Sequence, residues 1–192
     1  EFCIGAIEKP LCHQQGEKLD GTPLRGKPFL LEPFHKFIIY NLVGFKIAGT
    51  DVVRFHEALI YIPRKNIKTS FAAALTWALS LWYRRSGSKA YLTSAALLQS
   101  LESFNFLGYN IRRMGEDAKS GGSIRIIDNN NEHSLSASMP DGSFYIRALA
   151  ANPDAQDSLN CNVAVCDEIH AFKQPKQYNL FKEAMKAYTN KL

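Results

Sequence analysis

The spacing of apolar and polar residues changes several times along the chain, and each change marks an element. From Glu32-Pro33, residues Phe34, Phe37, Ile38, Asn41 and Leu42 fall on one side of a helix that ends near Gly44. Proline suits the first helical turn, where a missing N–H costs nothing. Glu57-Ala-Leu-Ile-Tyr-Ile62 is an apolar run of strand length, stopped by Pro63. Thr69–Tyr83 is rich in Ala and Leu, apolar nearly all round and free of Gly and Pro, the pattern of a buried helix. Lys89–Ser94 reads as a strand and Ala95–Arg113 as an amphipathic helix. Ser123–Asp128, Ser134–Met139 and Ser143–Leu149 alternate or run apolar between the turn signals Asn129-Asn-Asn131 and Asp141-Gly142, so they read as strands with tight turns. Asn162–Cys166 is a short strand and Pro175–Tyr188 a closing amphipathic helix. Strand, helix, strand, helix and then further strands predict an α/β fold. Its central sheet is mainly parallel, with helices on both faces and an antiparallel excursion near 123–149. Residues 1–28, rich in Gly, Pro and polar groups, read as an irregular lead-in, and 29–192 as one domain.

Composition narrows this picture. A chain of 192 residues with 46% hydrophobic side chains can bury a core of its own. No run approaches 18 uncharged apolar residues, and no export signal is visible. The chain starts at Glu1 rather than Met, as a piece of a longer protein would. Cys3, Cys12, Cys161 and Cys166 form no C-x-x-C pair, and no His pair stands at ligand spacing; they read as reduced thiols rather than a zinc site. The net charge is +5, and residues 51–100 account for it, with seven Lys/Arg against Asp51 and Glu57. Charge so concentrated fits a compact polyphosphate site better than a broad nucleic-acid face, although a solvated basic face would look the same.

Pro63-Arg64-Lys65-Asn66-Ile67-Lys68-Thr69 lies between the apolar run and the buried helix. A phosphate-binding loop needs that context, because its N–H groups and the following helix N-terminus cradle phosphate. Lys68 would reach the β/γ-phosphates and the Thr69 hydroxyl would hold Mg²⁺. Both glycines of the usual G-x-x-x-x-G-K-[ST] pattern are missing, so the loop alone reads equally as a basic turn before a helix. Asp167-Glu168 ends the strand Asn162–Cys166 and adds what such a loop requires. Asp167 can share the Mg²⁺ shell with Thr69, and Glu168 can polarise an attacking water. Together the two segments describe a P-loop NTPase of the additional-strand type, using ATP and Mg²⁺.

The loop resembles the Pro-Arg-Lys-Asn-Gly-Lys-Ser/Thr loop of the large terminases of the HK97-like phage group. Asp167-Glu168-Ile-His170 is similar to that family's Asp-Glu-x-His strand ending. Gly26-Lys-Pro-Phe29-Leu-Leu-Glu-Pro33-Phe34-His35 is similar to its lead-in, and Tyr91-Leu-Thr-Ser-Ala95 with Gln99 to the strand and helix after the loop helix. The similarity runs from about residue 20 to 172. It implies an ATPase domain of a DNA-packaging motor, without the nuclease half such subunits carry. It also implies double-stranded DNA, a small terminase subunit and a portal protein as partners, and a homo-oligomeric ring in the host cytoplasm, the isolated domain being a monomer. Arg64 would lean on the γ-phosphate as bonds break. Pro63, Lys65 and Asn66 would complete the loop, and Phe34 and His35 would lie at the base. Two departures stand out. Ile67 replaces a glycine, and a left-handed conformation there would cost a β-branched residue about 1–3 kcal/mol. His35 replaces a glutamine, so its neutral ring offers one donor and one acceptor on opposite sides instead of a paired amide edge. Read without the resemblance, Phe34 and His35 are a core aromatic beside a surface histidine; Trp77 and Trp82 read as core, His133 and His170 as structural. A helicase-type ATPase would share the loop and acidic pair, and a degenerate loop domain could serve only as a structural or DNA-docking module.

Overall fold

The computed structural model describes residues 1–63, 66–150, 159–172 and 175–192. Five helices and five strands are used below: α1 (Phe2–Glu8), α2 (Pro33–Gly44), α3 (Lys68–Trp82), β1 (Ser88–Ser94), α4 (Leu97–Arg113), β2 (Arg125–Asp128), β3 (His133–Met139), β4 (Gly142–Ala150), β5 (Val163–Cys166) and α5 (Lys176–Ala184). The strands form one mixed sheet in the order β2-β3-β4-β1-β5. β4, β1 and β5 run parallel, and β2 and β3 extend the sheet antiparallel beyond β4. This is the α/β arrangement expected, antiparallel excursion included.

Strand alternation divides the core into two. Ala90 and Leu92, Phe144, Ile146 and Ala148, and Val163 pack with α3 and α4 in the larger cluster. The intervening Tyr91 and Leu149 turn the other way, and Tyr91 stacks on Phe181 of α5 with ring centroids 6.0 Å apart. Because successive side chains on a strand point to opposite faces, one parallel core can hold helices on both sides. α3 is buried along most of its length, as a helix apolar all round must be.

Four expectations need correction. Residues 1–28 are not wholly irregular, because Phe2–Glu8 is a helix. Cys3 and Ile7, one turn apart, are fully buried, and Trp77 Nε1 donates to Ala6 O at 3.1 Å. Only seven residues long and with Gly5 inside it, this helix is set by packing on α3 rather than by propensity. Among the described residues Glu57–Ile62 joins no strand ladder; Leu59 and Tyr61 are 84% and 94% exposed. An apolar run becomes a strand only where another edge takes its backbone groups. Here the β5 edge is engaged by Leu192, which donates to Asn162 O at 2.8 Å and accepts from Ala164 N at 2.9 Å. Trp82 is half-exposed and leans on Phe2, so only Trp77 of the pair is core. Phe34 and His35 reverse the roles that the plain reading gave them, as described below.

At the β3–β4 turn, Gly142 has φ 141°, and a Cβ there would lie 2.1 Å from Arg84 O. Arg84 in turn makes a forked ion pair with Asp141, which closes the same corner. Among the described residues no helix is long and apolar enough to cross a membrane.

Candidate functional site

The site lies where the C-terminal ends of β1 and β5 meet the first turn of α3. Asp167 extends the parallel ladder one step past β5, its N–H donating to Thr93 O at 2.8 Å. Lys68 and Thr69 open α3, whose first turn closes through Phe71 N–H to Ile67 O at 2.9 Å. Residues about a hundred apart in sequence thereby come into contact. Lys68 Nζ lies 2.6 Å from Glu168 Oε1 and 3.3 Å from Asp167 Oδ1. Thr69 Oγ1 donates to Asp167 Oδ2 at 3.3 Å, and the Glu168 N–H donates to Asp167 Oδ1 at 2.9 Å. The hydrogen bond that Lys68 donates to Glu168 and the charge of Asp167 raise the Lys68 ammonium above its ordinary range, despite some opposing desolvation. Lys68 is therefore charged at every physiological pH.

Two residues flanking this cluster adopt left-handed backbone. Ile67, which caps α3, has φ 47° and ψ 29°, and Glu168 has φ 54° and ψ 42°. They are the two non-glycine residues with positive φ among those described. Such strain concentrates at functional sites, where the surroundings over-determine it. At Ile67 the glycine-like conformation occurs without the glycine.

Thr69 and Asp167 present a hydroxyl and a carboxylate oxygen to one another. Hard oxygen donors of this kind suit Mg²⁺, which takes one or two protein ligands and keeps several waters. Among the described residues no group of three or more His, Cys, Asp or Glu side chains is placed to hold a metal ion. Pro63 and Asn66 are exposed beside Lys68, and Asn66 Nδ2 donates to Pro63 O at 3.3 Å. Arg64 and Lys65 lie outside the described residues.

His35 is fully buried and Phe34 is 41% exposed. The imidazole lies between Phe34 and Phe71, at centroid distances of 3.9 and 4.3 Å. Its Nδ1 accepts the Glu32 N–H at 3.2 Å and closes a capping box at the start of α2. That bond leaves the ring proton on Nε2, which is buried and has no hydrogen-bond partner among the described residues. Burial holds the His35 pKa below its ordinary value of 6.5, so the ring is neutral. His35 thus packs α2 against the first turn of α3, while the Phe34 ring keeps an open side. Of the remaining histidines, His170 Nε2 stands 3.6 Å from Glu168 Oε2 on an exposed side chain, and His133 pairs with Asp128 at 2.8 Å on the far hairpin.

Two supporting groups carry no signal in the sequence. The Thr93 carbonyl fixes Asp167, and Ser103 Oγ of α4 donates to Thr69 O at 3.4 Å, tying α4 to the loop helix. A backbone carbonyl and one of two serines on an amphipathic helix are invisible to motif reading.

A helix N-terminus bearing Lys-Thr is thus set against two carboxylates at the end of a parallel strand, and a helix N-terminus favours anions. Residues 33–192 match the model of the terminase large subunit ATPase domain, and the chain belongs to that family. No curated protein matches it. Among solved structures it is similar to the large terminase of a thermophilic bacteriophage in crystal form 2. The sequences are 13% identical, the TM-score is 0.46, and the match covers 66% of this chain and 30% of that one. The same terminase in complex with ATP-gamma-S, crystal form 3, gives 13% identity and a TM-score of 0.42, covering 66% and 29% of the two chains. The chain therefore spans about a third of the length of the terminases it resembles.

Proposed function

We propose that this domain is a Mg²⁺-dependent ATPase and that, within a large terminase subunit, it drives double-stranded DNA into a procapsid. The observation that carries the reading is the convergence of Lys68 and Thr69 on Asp167 and Glu168. Family membership supports it. Lys68 binds the β/γ-phosphates at the N-terminus of α3, where the macrodipole also favours anions. Thr69 and Asp167 hold Mg²⁺, which when bound neutralises the developing charge on the phosphates. Glu168 orients and polarises the attacking water. Arg64 stabilises charge on the transferred phosphoryl group, and Pro63, Lys65, Asn66 and Ile67 form the rest of the loop. The open side of Phe34 offers the base an apolar stacking surface, and His35 supports that ring from behind. The working partners are double-stranded DNA, a small terminase subunit, a portal protein and further copies of the chain in a ring, in the host cytoplasm; the isolated domain is monomeric.

The direct test is thermal melting with and without Mg-ATP. A ligand at 100 times its Kd stabilises by about 2.7 kcal/mol, which for a domain of this size raises Tm by roughly 5–10 °C. Wild type should show that shift and Lys68→Ala should not. Equal shifts in the two proteins would remove Lys68 from the site.

A further inference from the structure

The lysine that would hold phosphate is already bonded to the carboxylate that would activate water. Lys68 Nζ sits 2.6 Å from Glu168 Oε1 and 3.3 Å from Asp167 Oδ1, and Thr69 and the Glu168 N–H turn their donors on Asp167 as well. An ammonium has three donors and no acceptor. With one committed to Glu168 and one to Asp167, Lys68 has little left for a phosphate oxygen. Glu168 is held in a left-handed conformation and its other oxygen faces His170, so its carboxylate is turned inward on Lys68. Lys68 faces both carboxylates, so a polyanion arriving alone meets two acids competing for the group it needs.

We propose that the Lys68–Glu168 ion pair is a latch that must be exchanged for nucleotide to bind. Phosphate takes Lys68, a divalent cation takes Lys68's place beside Asp167, and Glu168 is released toward the solvent side. The exchange conserves ion pairs only when phosphate and cation arrive together. Binding itself, and not cleavage alone, therefore requires Mg²⁺. The latch also couples the two halves of the reaction, because Glu168 is freed by the same event that seats the phosphates. This inference rests on the nucleotide-site reading above and adds to it an order of events and a metal requirement.

Isothermal titration of ATP separates the two ideas, run with excess Mg²⁺ and with EDTA, on wild type, Glu168→Gln and Glu168→Ala. Wild type should bind ATP at least tenfold more weakly in EDTA than in Mg²⁺. Glu168→Gln keeps the shape of the side chain but removes the charge that competes for Lys68, leaving only its pair with Asp167, and should tighten ATP in EDTA by about three- to tenfold. That range is what loss of a pair about one-third exposed supports, since solvent screens it. Affinity in Mg²⁺ should change less, so the gap between the two conditions narrows. Glu168→Ala should follow Glu168→Gln, which removes any dependence on how the amide packs. Equal wild-type affinity in Mg²⁺ and EDTA would overturn the latch, as would unchanged or weaker EDTA binding in both variants. No binding of ATP or of inorganic pyrophosphate by any of the three proteins would instead overturn the nucleotide site, and the latch with it.

Discussion

Ile67 offers the sharpest test, because its backbone is that of a glycine and its side chain is β-branched. Left-handed backbone costs an L-residue about 1–2 kcal/mol, and Ile67 carries that cost at φ 47°. The residue is 38% exposed, so part of its side chain is covered. Truncation should therefore forfeit roughly 1–2 kcal/mol of the 1.5–3 kcal/mol that full burial contributes. Ile67→Ala loses that contact and keeps the strain. Ile67→Gly loses the same contact and about 0.5–1 kcal/mol more in unfolded-state entropy, but it recovers the strain. Glycine should thus equal or exceed alanine in stability by about 0.5–1 kcal/mol, or roughly 1–4 °C in Tm. Both variants should fall below wild type or close to it. Urea unfolding of the three proteins makes the comparison, since the burial loss cancels between the two variants. Alanine more stable than glycine would mean that residue 67 is not left-handed in solution. The turn is already formed beside Lys68, so Ile67→Gly should move Mg-ATP affinity by less than about threefold. A tenfold tightening, about 1.4 kcal/mol, would show that the loop closes further on phosphate.

Glu168→Gln in an assembled motor should bind ATP and leave it uncleaved; turnover within a few-fold of wild type would assign the base elsewhere. Gly142→Ala should destabilise by about 2–5 kcal/mol, since a Cβ at φ 141° strikes Arg84 O at 2.1 Å in a corner without room to yield, and urea unfolding within about 1 kcal/mol of wild type would contradict that geometry. His35 is neutral when folded and takes up a proton more readily when unfolded, near pH 6.5, so its contribution to stability is complete above that pH and is lost as pH falls toward the depressed folded-state value. Glu8 and Glu132, whose carboxyls are held below their ordinary 4.5, act at lower pH. His35→Gln keeps an N3 acceptor for the Glu32 N–H and should flatten the stability profile just below pH 6.5; an unchanged slope there would assign the titration to His13, which burial also holds below 6.5.

Most elements are legible because each carries its period in full. α3 and α4 are long and carry their period in full, α3 without Gly or Pro and α4 with Gly108 alone, and β3–β4 is flagged by Asp141-Gly142, so observed bounds differ from expected ones by a few residues. The failures are the segments whose state depends on a neighbour. Phe2–Glu8 is too short to be helical alone and is fixed by α3. Glu57–Ile62 has the composition of a strand, but its Glu57 carboxylate is drawn to Tyr178 and Lys182 of α5, and the β5 edge is occupied at Val163 by Leu192. Composition reports what a segment could bury, whereas a strand also needs an edge to bond to.

The candidate site is legible for a related reason. Lys68-Thr69 and Asp167-Glu168 each follow from a local rule, a helix start and a strand end, and a parallel β1–β5 pair brings two such ends to one side of the sheet. Topology therefore turns two weak local signals into one contact 2.6 Å long. His35 obeys no such rule. Whether a histidine beside Phe34 turns inward is decided by Phe71, a residue 36 positions away on another helix, and by the Glu32 N–H that its Nδ1 satisfies. Its burial leaves one donor, Nε2–H, without a partner among the described residues, and a buried unpaired donor costs on the order of 1–3 kcal/mol. That cost, set beside the left-handed Ile67 and Glu168, places all three local penalties around the first turn of α3. A fold assembled for stability alone would have removed them with a glycine and an apolar ring, and their clustering lies beside the convergence of charges on which the proposed site rests.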